Sequence, residues 1–449
     1  MATDSLTTES NRPGDAHRSE TEKAGRGGLH YGYVILVFGF LTVTGALGFA
    51  RFGYATILPS MKEGLLLNNA QMGMIATGNL IGYAAFALVS GYLATRFGPR
   101  MVIGCSMFVT GVTMFCTGMA GGFGQAVALR FLTGLGSAGS NIPVMGLVSV
   151  WFGSKRRGMA AGILVGGSGL AFLVTGSLVP RVIEASPDTG WRLSWFVLGA
   201  VVVALGLLSL IFLRNRPSDK GLNPIGAEAV TLSGSSGTSG IQAPSLHSVY
   251  TSPALWHLGA VYLLYGFCYI IYCTFFSAAL VADRGFSQAE AGAIWSSIGI
   301  VGIFSGILWG TVSDYIGRKY ALAVVFAIHA VCYFLFATAH STGVLYVSAI
   351  LFGFSAFSIP GIVAATCGDY VGPNLAPAAL GMVTLFFAVG QASAPSVAGY
   401  LADATDSMTV SFLLAAAVAV LGSTGSLTLR QGVVPTDGGV CQKAYHSGS

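Results

Sequence analysis

Long apolar runs constrain this sequence more than any other feature. They recur along most of the chain, and each is about 18 residues or longer with very few charges. A run of that length crosses a ~30 Å hydrocarbon core as one helix, because backbone groups in lipid must bond within their own segment. We place twelve spans at residues 31–60, 71–94, 101–120, 123–151, 158–182, 192–213, 255–281, 288–313, 320–339, 343–368, 377–401 and 409–429.

Composition supports a membrane protein and argues against other classes. Only 9% of the 449 residues are charged and 53% are apolar, whereas soluble domains carry about 25% charged residues. The seven cysteines show no metal-binding spacing, and no Gly-x4-Gly-Lys-Ser/Thr loop for ATP is present. We therefore expect no cofactor, no metal, no enzymatic activity and no nucleic-acid partner.

A pattern of glycines and bases occurs twice, 219 positions apart. Residues 310–319 read GTVSDYIGRK, and residues 91–100 read GYLATRFGPR. The same offset aligns residues 70–73 with residues 289–292, so a helix and its loop are duplicated. A membrane protein made of two matching halves indicates alternating access. The aligned pairs are Gly91 with Gly310, Gly98 with Gly317 and Arg100 with Lys319.

The sequence predicts an all-α membrane protein with twelve transmembrane helices in two six-helix bundles, related by a pseudo-twofold repeat. The interval between the bundles is rich in Gly, Ser and Pro, which favours a flexible linker. The predicted units are a disordered cytoplasmic N-terminus (1–28), the N-terminal bundle (29–213), a flexible cytoplasmic linker (214–252), the C-terminal bundle (253–430) and a disordered cytoplasmic tail (431–449).

The distribution of Lys and Arg predicts the orientation. If the N-terminus is cytoplasmic, inner segments hold sixteen of the 22 Lys and Arg residues and outer loops hold four. This asymmetry follows the positive-inside rule. We expect a monomeric protein of the bacterial inner membrane with both termini in the cytoplasm.

The two remaining bases, Arg51 and Arg130, fall inside predicted spans. A guanidinium costs ~2.5–3.5 kcal/mol at the centre of a membrane helix, so it normally faces the protein interior and has a function. The acids Asp314, Asp369 and Glu290 all lie near span ends by residue counting. An anionic substrate is therefore a candidate partner for Arg51. Alternatively, Arg51 bonds backbone carbonyls near Pro59 or extends outward to the membrane surface, and for Arg130 a structural or gating role is favoured.

Other polar side chains are predicted at a similar depth. Asn79 in the second span reaches the level of Arg51, and Gln391 lies near the middle of the eleventh. The seventh span carries four tyrosines on one helical face, which pack together or line a wet cavity. Of these, Tyr265 and Tyr269 lie nearest mid-membrane.

These residues resemble a known family. The Gly-x3-Asp-x2-Gly-Arg-Lys loop, its degraded partner and the Arg130-x3-Gly134 pattern resemble signatures of the major facilitator superfamily, whose two halves are related by parallel repeats. Residues 50–61 (ARFGYATILPSM) and 79–83 (NLIGY) are similar to the YbfB-like bacterial group. The Arg-x-Arg-Pro sequence at 214–217 is similar to that of monocarboxylate and oxalate/formate carriers. Oxalate/formate carriers have basic residues in spans eight and eleven, and this chain has none there.

The resemblance implies a gating role for the repeated loop. Asp314 at a helix end would pair with bases or with a helix N-terminus and close the cytoplasmic side. The alternative is that the bases serve only topology. Thr95 replaces the acid in the first copy, which predicts a weaker contact there. The predicted gating residues are Gly91, Gly98, Arg100, Gly310, Asp314, Gly317, Arg318 and Lys319.

The sequence thus predicts a secondary transporter for small organic anions, in particular monocarboxylates, by proton symport or anion exchange. The alternatives are efflux of amphipathic or drug-like compounds and a membrane sensor that does not transport. The expected partners are the anion, protons in the case of symport, and the lipid bilayer. The predicted substrate-binding residues are Arg51, Asn79, Tyr83, Arg130, Tyr265, Tyr269 and Gln391.

Overall fold

The computed structural model describes residues 30–226, 249–339 and 341–430. The predictions for the two termini (1–28 and 431–449) lie outside the described residues. The described chain is almost entirely helical. The helices are α1 (Tyr31–Gly64), α2 (Asn69–Phe97), α3 (Pro99–Gly118), α4 (Phe123–Trp151), α5 (Ser154–Ala185), α6 (Gly190–Phe212), α7 (Pro253–Asp283), α8 (Gln288–Ile316), α9 (Arg318–Thr338), α10 (Thr342–Ser355), α11 (Ile359–Thr405) and α12 (Thr409–Leu427).

The predicted fold class is confirmed. Among the described residues, eleven helical segments are long and apolar enough to cross a membrane, and α2, bent by 48° after Ala87, makes the twelfth. Helices α1–α6 pack as one bundle and α7–α12 as a second. The halves meet mainly along two seams, where α2 contacts α11 and α5 contacts α8.

The 219-residue repeat is visible in local geometry. Asn68 and Gln71 form a capping box at the start of α2, and Ser287 and Glu290 form the equivalent box at the start of α8. At the other ends of these helices, Gly98 and Gly317 adopt φ values of 84° and 89°, a region that residues with a Cβ rarely adopt. We call the end that carries these two glycines the motif end, and the other end the opposite end.

The tenth and eleventh predicted spans are joined differently from the sequence expectation. Helix α10 stops at Ser355, and after a short turn α11 runs without interruption from Ile359 to Thr405. Residues 359–371 complete the tenth span, and residues 378–405 form the eleventh. Asp369, expected at a helix end, therefore lies inside a continuous helix.

The first part of the predicted linker is ordered. Residues 217–220 form a 3-10 turn. The backbone of Ile225 donates to the carbonyl of Trp151 and accepts from Gly153, both at 2.9 Å. Residues 214–226 therefore pack on the N-terminal bundle, although the sequence assigned them to the flexible linker. Residues 227–248 of that linker lie outside the described residues.

The seam between α5 and α8 widens towards the motif end. Near the opposite end, a Cβ added to Gly176 would lie 2.4 Å from the carbonyl oxygen of Gly292, far inside van der Waals contact. The same distance to the nearest atom of α8 grows along α5, so the halves diverge towards the motif end. It is 2.4 Å at Gly176, 2.9 Å at Gly169, 3.4 Å at Gly166 and 3.5 Å at Gly162.

Candidate functional site

Arg51 lies where the two halves meet, in an irregular part of α1. Residues Thr44–Phe52 form a π-helical segment, and such segments are frequent at functional sites. The Nη1 group donates to Oε1 of Gln391 at 3.4 Å, and the guanidinium carbon lies 4.6 Å from the centre of the Tyr83 ring. The buried Nε and Nη2 groups have no hydrogen-bond partner. Among the described residues, no carboxylate forms an ion pair with Arg51.

Arg130 is bound into the N-terminal bundle and is only 1% exposed. Its Nη1 donates to the carbonyl oxygen of Ala50, the residue immediately before Arg51. Its guanidinium carbon lies 5.0 Å from the ring of Tyr54 and 5.2 Å from that of Trp195, and such stacking favours a cation. These contacts support a structural role, although the buried Nε has no partner.

Three polar side chains surround the two arginines. Asn79 donates from Nδ2 to the carbonyl of Arg130 at 3.1 Å, and its buried Oδ1 has no partner. The Nε2 group of Gln391 is likewise buried without a partner. The Tyr83 hydroxyl accepts from Nδ2 of Asn141 at 2.9 Å, which holds the ring beneath the Arg51 guanidinium.

The two predicted cavity tyrosines lie in an aromatic stack. Tyr265 is 1% exposed and donates its hydroxyl to the carbonyl of Ala356. Its ring lies 5.1 Å from that of Tyr269, which in turn contacts Phe52 edge-on at 6.3 Å. Tyr269 therefore reaches the N-terminal half beside Arg51, whereas Tyr265 already has a partner for its hydroxyl within the C-terminal bundle. Their role in binding stays a prediction.

A small cavity brings part of the predicted site together. Its volume is about 10 Å³, far below the ~300 Å³ lower limit of typical ligand pockets. The walls come from both halves, so separation of the halves would enlarge the cavity. The lining residues are Arg51, Phe52, Tyr54, Ala76, Asn79, Leu80, Arg130, Ile270, Cys273 and Thr274.

The second copy of the loop motif forms a cluster within the C-terminal half. Arg318 pairs with Asp314 and donates from Nε to Oδ2 of Asp369 at 3.2 Å. It also donates from Nη1 to the Ser313 hydroxyl at 2.6 Å. The neighbouring Lys319 lies 4.8 Å from the ring of Tyr320. The described contacts of Asp314 and Arg318 therefore join α8, α9 and α11 within one half.

The first copy joins α3 to α6 and to the segment that follows α6. Arg100 donates from its backbone N to Oδ1 of Asn215 at 2.9 Å and from Nε to the carbonyl of Leu210 at 2.6 Å. Gly98 leaves room for the Asn215 side chain. By contrast, a Cβ at Gly91 or Gly310 would have no atom within 4 Å. A gating role for either copy stays a prediction.

The sequence reasoning missed several residues of the site. Asn141, Cys273 and Thr274 were not selected, although Asn141 is an amide inside an apolar span. The signal that selected Asn79 and Gln391, an amide side chain inside a predicted span, also applies to Asn141. Cys273 and Thr274 carry no sequence signal of their own, because small residues are common in packed membrane helices.

Comparisons with known proteins agree with this architecture. The "Probable sulfoacetate transporter SauU" of Cupriavidus necator is 26% identical over 396 residues, covering 84% of this chain and 89% of that protein. The hexuronate transporter of Bacillus subtilis is 24% identical and covers 86% and 92%. The 4-hydroxybenzoate transporter PcaK of Pseudomonas putida is 26% identical and covers 66% and 70%.

A solved structure and a family description match most of the chain. The inward-facing, unoccupied crystal structure of a bacterial homologue of the human lysosomal transporter Spinster superimposes with a TM-score of 0.70 at 17% identity, covering 91% of this chain and all of that one. Such low identity indicates the fold alone. The family described as "Uncharacterised MFS-type transporter YbfB" matches residues 43–427. The chain therefore belongs to this YbfB family of multi-pass membrane transporters, within the major facilitator superfamily.

Proposed function

We propose that this transporter carries small organic anions, with a monocarboxylate as cargo and Arg51 as the group that binds its charge. The guanidinium is buried where the two halves meet, which is where an alternating-access carrier binds its substrate. A carboxylate can accept two parallel hydrogen bonds from one guanidinium. The protein itself supplies Arg51 with one amide oxygen and an aromatic ring.

The observation that carries the proposal is the pair of unpartnered donors on Arg51. Burial of a charged group without a hydrogen-bond partner costs more free energy than burial of a neutral polar group without one. An anion that reaches the cavity would satisfy both Nε and Nη2 and neutralise the charge. Asn79 Oδ1 and Gln391 Nε2 are buried beside them without partners and could bind the polar remainder of the same molecule.

The names of the relatives support an anionic cargo. Sulfoacetate, hexuronate and 4-hydroxybenzoate are all organic anions, and the sequences of these proteins align with 66–86% of this chain. At identities of 24–26%, the names of these relatives do not determine which organic anion this chain carries.

Orientation and energy coupling are part of the proposal. We propose that the motif end and both termini face the cytoplasm of a bacterial inner membrane, and the positive-inside asymmetry of the sequence supports this. Among the described residues, the small cavity is lined by no carboxylate that could bind a coupling proton. We therefore propose that the substrate enters with a proton or exchanges for a second anion.

Efflux of amphipathic compounds remains the second candidate. It is favoured by the many aromatic and Met residues of the sequence. In the structure, Tyr265 and Tyr269 stack on one another, and both are at most 5% exposed. Their rings therefore mainly pack the bundle, which weakens this alternative in the conformation described.

The test is uptake by purified protein in liposomes. We expect a labelled short monocarboxylate to accumulate, at a rate that changes when a pH gradient or an internal anion is imposed. A labelled lipophilic cation should not enter above the rate of empty liposomes. Uptake of the cation without uptake of the anion would contradict the proposal and favour efflux.

A further inference from the structure

A carboxylate of the C-terminal half binds the start of a helix in the N-terminal half. Asp403, near the opposite end of α11, accepts hydrogen bonds from the backbone N of Asn69 at 2.9 Å and of Ala70 at 2.7 Å. These are the first two residues of α2, whose N–H groups have no partner within their own helix. The next N–H group, of Gln71, is bound by the Asn68 side chain at 2.8 Å.

The electrostatics of this contact are favourable. The N-terminus of a helix carries a partial positive charge, which stabilises an anion. Lys62, also in the N-terminal half, lies nearby and donates to Oδ1 of Asn69 at 2.8 Å. Hydrogen bonds with a charged acceptor are stronger than those between neutral groups. Among the described residues, Asp403 is the one carboxylate that bonds across the two halves.

The seam between α2 and α11 continues from this contact towards Arg51. A Cβ at Gly399 would lie 2.3 Å from the carbonyl oxygen of Asn69, and one at Gly73 would lie 2.1 Å from that of Pro395. Further along, the Thr77 hydroxyl donates to the carbonyl of Ala392 at 2.9 Å. The next residue, Gln391, is the one that contacts Arg51. The seam is thus continuous from Asp403 to the candidate site.

We propose that Asp403 is a latch that holds the two halves together at the opposite end, so that opening this end requires its two hydrogen bonds to break. The term Asp403 latch denotes these bonds from Asn69 and Ala70. The Asp403 side chain is only half-buried, so water can replace the lost bonds, and the contact is reversible. Release of the latch would also free the seam that positions Gln391 against Arg51.

Loss of the charge tests the latch. Spin labels on Glu63→Cys and Thr405→Cys report the separation of the halves at the opposite end, and labels on Phe97→Cys and Tyr315→Cys report the motif end. Both pairs are made in otherwise cysteine-free protein in nanodiscs. In Asp403→Asn, we expect the population with a long distance at the opposite end to rise about fivefold, and the motif end to close in the same proportion.

A neighbouring acid provides the control. Asp406 lies three residues further along the chain, exposed, in a left-handed turn that asparagine also tolerates. Asp406→Asn changes the net charge equally and should leave both distance distributions unchanged. The measurement needs no substrate, so its result is independent of the proposed cargo.

A backbone substitution tests the same contact from the other side. Asn69 is the first helical residue after an extended Asn68, a position that accepts proline. Asn69→Pro removes one donor to Asp403, whereas Asn69→Ala removes only the side chain. We expect Asn69→Pro, but not Asn69→Ala, to increase the long-distance population.

Three results would each overturn the proposal that Asp403 is a latch. Unchanged distances in folded Asp403→Asn protein would overturn the latch. If Asp403→Asn does not fold, the comparison of Asn69→Pro with Asn69→Ala decides, and equal distances in these two would overturn it. A response of Asp406→Asn as large as that of Asp403→Asn would also overturn it, because a general charge effect would then be sufficient.

Discussion

At the scale of single residues, the central feature is a positive charge that the protein does not neutralise. Residue counting places the acids near span ends, and among the described residues none forms an ion pair with Arg51. The sequence could not predict that Gln391 contacts Arg51, since the two are 340 positions apart and meet only when the halves dock. The bond from Arg130 to the Ala50 carbonyl was not foreseen either, because it depends on how α1 and α4 pack within the N-terminal bundle.

Gln391→Glu tests whether the Arg51 charge is available to an anion. A carboxylate in this buried place would form an ion pair with Arg51 and compete with the substrate. We expect anion affinity to fall by about 3 kcal/mol, roughly a hundredfold, with normal folding. Binding of a labelled monocarboxylate to purified protein measures this.

The matched control is Gln125→Glu, because this exposed side chain lies in the first turn of α4 and keeps an oxygen for its bond to the Gly121 N–H. Equal affinity in Gln391→Glu and the unmodified protein would show that Arg51 does not bind the anion.

At the scale of helices, apolar length and flanking charges were sufficient to place most ends within a few residues. Irregularities within a helix and the continuation of a helix past an expected end were not predicted, because no side chain marks them. The π-helical segment Thr44–Phe52 lies in an apolar stretch without proline, and α11 continues through the expected end of the tenth span. The close approach of the helices at the two seams was also not predicted. Glycines are frequent throughout the sequence, and the sequence does not show which of them contact the other half.

Gly176→Ala tests the seam between α5 and α8. The new Cβ would lie 2.4 Å from the Gly292 carbonyl oxygen and the Ser296 hydroxyl, so the helices must separate. Overpacking of this kind costs about 1–3 kcal/mol, more than the ~1 kcal/mol that alanine gains over glycine in a helix. We expect a lower melting temperature in detergent.

Gly162→Ala on the same helix is the control, since its Cβ would meet only the Ile307 side chain at 3.5 Å. It should melt at the same or a higher temperature. Identical melting of both variants would mean that the two helices are not in close contact at Gly176.

At the scale of the whole molecule, the structure is closed at the opposite end and divergent at the motif end. The backbones of α5 and α8 separate steadily towards the motif end, while the Asp403 latch and the α2–α11 seam hold the opposite end. A carrier of this fold must reverse that arrangement to make Arg51 accessible from the other side of the membrane. The sequence predicted the two halves through their repeat, but one sequence contains no signal for which conformation is more stable.

The most direct measurement is monocarboxylate uptake by Arg51→Lys protein in liposomes, compared with the unmodified protein and with Arg181→Lys, a change at an exposed arginine of α5. Lysine keeps the charge but cannot reproduce the planar pair of donors. We predict that Arg51→Lys folds normally and loses about tenfold or more in uptake at low substrate concentration, while Arg181→Lys transports normally. Unchanged uptake by Arg51→Lys would contradict the account and assign Arg51 a structural role.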